Sequence, residues 1–146
     1  PLVVVDYAHS PDALEQVLAA VADVARARGG SLLCVFGCGG ERDQGKRPLM
    51  GEAASRHADF VVVTSDNPRG EDPAAIIAGI LPGISAAHVV EPDRRAAIRL
   101  AVARSGSRDV IVVAGKGHEP YQEIAGTRRP FSDAEEARSA LEAAGA

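Results

Sequence analysis

The sequence predicts a three-layer, Rossmann-like α/β domain, with a mainly parallel sheet of about six strands and an antiparallel hairpin at its edge. Three observations carry that expectation. Short apolar runs alternate almost without exception with stretches of helical periodicity, and helices of about ten residues or more between strands imply right-handed crossovers joining parallel neighbours. The chain is 46% hydrophobic but only 3% aromatic, with no Trp; its core must be Val, Leu, Ile and Ala, the usual filling of a sheet covered on both faces. The polar and Gly-rich segments come directly after the apolar runs rather than before them, as they do where ligands bind outside the carboxyl ends of a parallel sheet.

Leu2 to Val5 is a β-branched run, and the helix after it starts at Ser10-Pro11, a capping residue followed by proline in the first helical position. Leu14, Val17, Leu18, Val21 and Val24 form its apolar stripe, and Gly29-Gly30 ends it. Leu32 to Phe36 is the second strand. A helix from about Arg47 to His57 follows, with Leu49, Met50, Ala53 and Ala54 turned inward. Phe60 to Thr64 is the third strand, and Asp72-Pro73 opens a helix with Ile76, Ile77, Ile80 and Leu81 on one stripe. His88 to Val90 gives a short fourth strand, and Ile98, Ala101 and Val102 face inward on the helix beyond it. Asp109 to Ala114 is a fifth strand, the segments around Gly126-Thr127 make the hairpin, and Ser132 caps the last helix.

At 146 residues the chain suits one domain with a real core and leaves no room for a second. A net charge of -4 argues against a nucleic-acid partner, which normally needs a basic face. Cys34 and Cys38 read as small buried residues in a reducing compartment, with neither zinc spacing nor a disulfide framework. No apolar run is long enough to span a bilayer, so the expected setting is soluble and cytoplasmic, without a membrane partner. The chain opens on Pro1 and goes directly into a strand, from which residues 1–146 are expected to be a piece excised from a longer protein.

Four loops leave strands on one side of the predicted sheet. Asp66-Asn67-Pro68-Arg69 sets an acceptor, an amide and a forked cation close together and stiffens them with proline, a surface suited to a small zwitterion. Gly37 to Gly45 lets backbone amides approach an anion, with Arg42 or Lys46 adding charge, or is simply a tight strand-to-helix turn. It is not a nucleotide-binding P-loop, because Gly45-Lys46 runs into Arg47. Gly115 to Glu119 offers the same two readings. Asp6, leaving a buried strand, is placed to accept the hydroxyls of a ribose. His9 is read either as a ligand contact or general base, or as a structural hydrogen bonder. His57 and His88 are assigned to packing or surface. Glu41, Asp43 and Asp66 are read either as magnesium ligands or, by default, as solvated loop carboxylates, and no metal site is assigned to them.

The pieces Asp6-Tyr7-Ala8-His9, Phe36 to Asp43, Gly45 to Met50, Asp66 to Arg69 and Gly115 to Glu119 together resemble the C-terminal domain of the Mur ligases, most closely the diaminopimelate-adding members. Ser10 and Glu41 depart slightly from that pattern. The resemblance implies a three-domain, ATP- and Mg2+-dependent amide ligase of peptidoglycan synthesis that joins meso-diaminopimelate to UDP-MurNAc-L-Ala-D-Glu through an acyl phosphate. It implies that Arg42, Asp66, Asn67, Pro68, Arg69, Gly115 and Glu119 receive the amino acid, and that Asp6 and His9 meet ATP. The nucleotide-binding Gly-Lys-Thr loop is not in these residues, so ATP and Mg2+ are expected to be held mainly by another domain of the same chain. No catalytic residue is expected here, and the domain alone is expected to be inactive. Arg69 in the Asp-Asn-Pro-Arg position favours diaminopimelate over lysine, because an unpaired arginine would cost a few kcal/mol. The alternatives are a lysine-adding or cyanophycin-synthetase-like ligase, or a free-standing nucleotide-binding module.

Overall fold

The computed structural model describes residues 1–145. Five parallel strands, β1 (Leu2–Asp6), β2 (Leu32–Phe36), β3 (Phe60–Val63), β4 (Ala87–Val90) and β5 (Val110–Ala114), lie in the order β1-β5-β2-β3-β4. Helices α1 (Pro11–Ala27), α2 (Lys46–His57) and α3 (Pro73–Ile80) cover one face, and α4 (Arg94–Arg104) and α5 (Asp133–Ala143) the other. The pleat divides each central strand between two cores. Leu32, Cys34 and Phe36 join the first three helices, while Leu33 and Val35 join the last two.

The helix starts follow local chemistry. Ser10 Oγ accepts the Ala13 N–H at 3.2 Å, and Asp72 Oδ1 accepts the Ala74 N–H at 3.0 Å ahead of Pro73. Two apolar residues expected inside remain outside: Val24 is 44% and Leu49 49% exposed. The buried stripes run Leu14, Leu18, Val21, Ala25 on α1 and Met50, Ala53, Ala54 on α2. Val24 and Leu49 each sit one residue off those rows, about 100° around the helix.

The main sheet has five strands instead of about six, because the hairpin does not extend its edge. β6 (Tyr121–Ile124) and β7 (Thr127–Pro130) form a separate antiparallel ribbon. The ribbon docks on the loop after β3. Arg69 N–H donates to Glu123 O at 2.9 Å, Ala125 N–H to Arg69 O at 2.6 Å, and Gln122 Nε2 to Asp66 O at 2.8 Å.

Two ion pairs brace the carboxyl end of the sheet. Arg94, at the start of α4, is fully buried and grips Asp133 at the start of α5 with Nε–Oδ1 2.8 Å and Nη2–Oδ2 2.7 Å. Two further donors go to Ser65 O and Ala114 O, each at 3.0 Å, so one guanidinium ties the exits of β3 and β5 to both helices. Burial opposes its charge, but the bonds and charge of Asp133 outweigh that and hold its pKa above the usual arginine value. Arg47 on α2 grips Glu71 in the same two-pronged way at 2.7 and 2.9 Å. Glu71 Oε1 also accepts the Glu41 N–H at 3.1 Å, while Glu41 Oε1 accepts the Gly70 N–H at 3.0 Å. The loops after β2 and β3 are thereby clasped together.

Breaking the buried pair with Asp133→Asn leaves Arg94 uncompensated and should lower unfolding stability by roughly 3–5 kcal/mol in urea denaturation. The second pair has a pH signature. The Arg47 hydrogen bonds, then the Glu41 N–H, hold the Glu71 carboxyl down at about 2. A depressed carboxyl pKa stabilises the fold above the ordinary carboxylate range and ceases to do so as pH falls through the folded-state value. Glu71→Gln should therefore melt below the parent chain at neutral pH, and the gap should close between about pH 5 and pH 2 when melting is followed by circular dichroism.

Candidate functional site

β5 lies between β1 and β2, and the helices that follow β2 and β5 leave on opposite faces, which opens a crevice at the strands' carboxyl ends. A cleft of about 200 Å3 occupies it. Arg42, Asp66, Asn67, Arg69, Gly115 and Glu119 all line this cleft, together with His9. Pro68 does not. It is buried behind the loop and faces a second cavity at the back, beside Gln122 and Phe131. Asp6 also lies outside the cleft, in an adjoining open groove formed with the first turns of α1.

The Asp66–Arg69 loop is held against its neighbours through the Asp66 carbonyl, the Asn67 side chain and the Arg69 backbone. Asn67 O accepts the Gly40 N–H at 2.8 Å, and the approach is so close that a Cβ on Gly40 would overlap the Pro68 carbonyl. Asn67 Oδ1 accepts Lys116 Nζ at 2.8 Å and the Glu123 N–H at 3.0 Å, while Nδ2 donates to Glu119 Oε1 at 3.3 Å. Arg69 has φ +55°, a left-handed conformation that costs a non-glycine residue about 1–2 kcal/mol. The ribbon's two backbone bonds to Arg69 hold it there. Arg69 Nη1 donates to Gly40 O at 3.0 Å and Asn67 O at 3.4 Å. Among the described residues no acceptor engages its Nε or Nη2, so one edge of the guanidinium is left for a carboxylate in the cleft. Arg42, exposed and bonded only to Glu41 O at 3.3 Å, is far less constrained.

The opposite character gathers around Lys116. This side chain is fully buried, with Nζ 3.2 Å from Glu119 Oε1 and 3.5 Å from Asp66 Oδ1. At that distance Asp66 pairs with Lys116 by charge without a hydrogen bond, and its buried Oδ1 has no hydrogen-bond partner. Two carboxylates against one ammonium leave a net single negative charge at this end of the cleft, which a cation completes. Gly115 has φ +115°, and a Cβ there would stand 3.2 Å from Asp66 Oδ2; glycine keeps space open beside that carboxylate. Cys38, also in the wall, has its thiol pushed up to about 12 by burial and contributes no charge.

On the groove side, Asp6 Oδ2 accepts the Ala8 N–H at 2.8 Å, so one carboxylate oxygen is engaged in its own turn and the other remains for a ligand hydroxyl. His9 Nδ1 lies 2.9 Å from Tyr7 O, which fixes Nδ1 as the protonated nitrogen and turns Nε2 outward. Among the described residues no three His, Cys, Asp or Glu side chains converge as a metal cluster, and no helix is long and apolar enough to cross a membrane. Sequence reasoning missed Arg94, Asp133, Arg47, Glu71 and Gln122 as supports of this site. Lys116 was visible as a cation between glycines, but its burial was not.

Comparisons with known proteins bear on the family and the fold. The family model for the Mur ligase glutamate ligase domain matches residues 1–117. A protein of Chromobacterium violaceum called UDP-N-acetylmuramoyl-L-alanyl-D-glutamate--2,6-diaminopimelate ligase is 61% identical over 99% of this chain and 29% of its own length. One of the same name from Acidovorax is 64% identical over 97% of this chain and 28% of its own length. A solved structure of a ligase with that name superposes with a TM-score of 0.89 at 47% identity, covering 99% of this chain and 30% of the other. The chain thus spans under a third of the curated relatives it matches. The family match over residues 1–117, with a close superposition over nearly the whole chain, places this chain in the Mur ligase family, with the fold of its glutamate ligase domain.

Proposed function

We propose that residues 1–146 are the amino-acid-receiving domain of a longer, cytoplasmic, three-domain ligase that adds meso-diaminopimelate to UDP-MurNAc-L-Ala-D-Glu in peptidoglycan synthesis. The observation that carries this reading is the pairing of opposite charges across one cleft. A guanidinium edge of Arg69 is left without a protein acceptor, and facing the same space are Asp66 and Glu119 with a surplus negative charge. Diaminopimelate carries a carboxylate and an ammonium together at its far end, and the two subsites answer them separately. Arg42 is the second arginine able to take a carboxylate, Asn67 adds an amide donor, and Gly115 leaves room for the ammonium beside Asp66. Pro68 acts from behind, as the rigid back of the loop.

The groove beside the cleft suits the ribose end of ATP, with Asp6 offering its free carboxylate oxygen and His9 its outward Nε2. When bound with Mg2+, mainly on another domain of the longer chain, ATP supplies the phosphoryl group that activates the glutamate carboxylate for attack by the amine. The residues described here bind and orient the amino acid, and this domain has no catalytic part of its own. The names borne by the relatives of 61% and 64% identity support the same substrate.

Lysine has the far ammonium but not the far carboxylate, so it would leave the Arg69 edge unpaired. In the full-length ligase, Arg69→Ala should lower kcat/KM for meso-diaminopimelate by roughly 10- to 100-fold, the range of a lost charge-assisted hydrogen bond, while any residual use of lysine stays level or rises. Undiminished diaminopimelate use in steady-state assays would refute the specificity reading and favour a lysine-adding relative.

A further inference from the structure

Lys116 is the one ammonium among the described residues with zero exposure, and it takes no part in the wall of the cleft. A buried charge of this kind is retained only if its donors are met. Here two of them are met by Asn67 Oδ1 at 2.8 Å and Glu119 Oε1 at 3.2 Å, and the charge is further balanced by Asp66 Oδ1 at 3.5 Å, with the Tyr121 ring 5.5 Å away. All three of these partners are side chains assigned above to the amino acid. From these contacts we infer that Lys116 is a positioning residue, which orients Asn67 and Glu119 for the amino acid from beneath the cleft without touching it. The inference rests on the proposed amino-acid subsite and explains how that subsite is set.

The geometry at Asn67 gives the reason. An amide can be turned either way, and only its neighbours decide which edge faces a ligand. Lys116 Nζ and the Glu123 N–H both donate to one atom of this amide, at 2.8 and 3.0 Å. Two donors on one atom require it to be the oxygen, so the NH2 edge is the one that faces Glu119. The ligand therefore meets a hydrogen-bond donor at Asn67, as a carboxylate requires. With Lys116 gone, the Glu123 N–H alone holds the amide oxygen, and Glu119 loses its cation. Asp66 and Glu119 then stand as neighbouring carboxylates with nothing between them, which displaces one or protonates it.

The experiment is steady-state kinetics of the full-length ligase carrying Lys116→Met, with all three substrates varied in turn. The expected result is a KM for meso-diaminopimelate raised by about 10- to 100-fold, the range of a lost charged hydrogen bond. The KM values for ATP and UDP-MurNAc-dipeptide, and kcat at saturating amino acid, should stay within about threefold. Lys116→Gln, which keeps an N–H for Asn67 but no charge, should fall between the parent and Lys116→Met, and it carries the test if the methionine variant does not fold. In an Asn67→Ala/Glu119→Ala background the effect of Lys116→Met should shrink to within about threefold, because both side chains that the ammonium orients are gone. An unchanged KM for the amino acid would overturn the inference, as would parallel losses for all substrates or an undiminished effect in that background. If Asn67→Ala and Glu119→Ala themselves leave that KM unchanged, the amino-acid subsite fails as well; if they raise it and Lys116→Met does not, only the positioning role fails.

Discussion

One buried guanidinium sets the geometry on which the cleft depends. The carbonyls of Ser65 and Ala114 stand where β3 and β5 stop pairing and their chains turn away, positions at which a backbone acceptor otherwise needs water. Arg94 supplies both with donors from the interior while its other edge is locked by Asp133. The two strand exits thus share one rigid planar group, and the loops that follow, Asp66–Arg69 and Gly115–Glu119, start from a fixed separation. A lysine could not do this, because one point charge has no fork to span two carbonyls and a carboxylate.

Above that brace the loops are ordered by layers of progressively weaker contact. The Arg47–Glu71 clasp binds the Gly-rich loop after β2 to the loop after β3. The β6–β7 ribbon then pins the Arg69 backbone in its left-handed conformation, and Lys116 meets the side chains of Asn67 and Glu119 from below. At the outermost layer Arg42 and His9 are exposed and lightly held. The result is a rigid inner wall with looser groups at the mouth, an arrangement that preorganises the inner contacts and leaves the outer ones adaptable.

The electrostatics are local and opposed to the overall balance. The chain as a whole carries a net charge of -4, yet the cleft wall gathers Arg42, Lys46 and Arg69, while Asp66 and Glu119 in the same wall stand around a buried lysine. Neither set is neutral by itself. Both signs thus line one small space, and a group that carries only one of them leaves the other unmet.

Much of this was present in the order of residues along the chain. The alternation of apolar runs with helical stripes determined a parallel α/β sheet, because crossovers of that length admit little else. It also determined that Asp6, the Gly-rich loop, Asp66–Arg69 and Gly115–Glu119 would meet at one end, because loops after parallel strands must emerge together. Which of these groups face a ligand was decided only by the fold. Pro68 and Arg69 are adjacent in sequence, yet one is buried behind the loop and the other opens on the cleft, a consequence of a left-handed backbone that the distant residues Glu123 and Ala125 impose. Arg94 looks in the sequence like any charged residue in a first helical turn; only the arrival of Asp133 from 39 residues away makes it internal. Lys116 is likewise a loop cation until β6 and the Asp66–Arg69 loop close over it. Local pattern fixes elements and their ends, whereas burial and pairing depend on contacts between distant segments, and those exist only once the sheet has brought its carboxyl-end loops together.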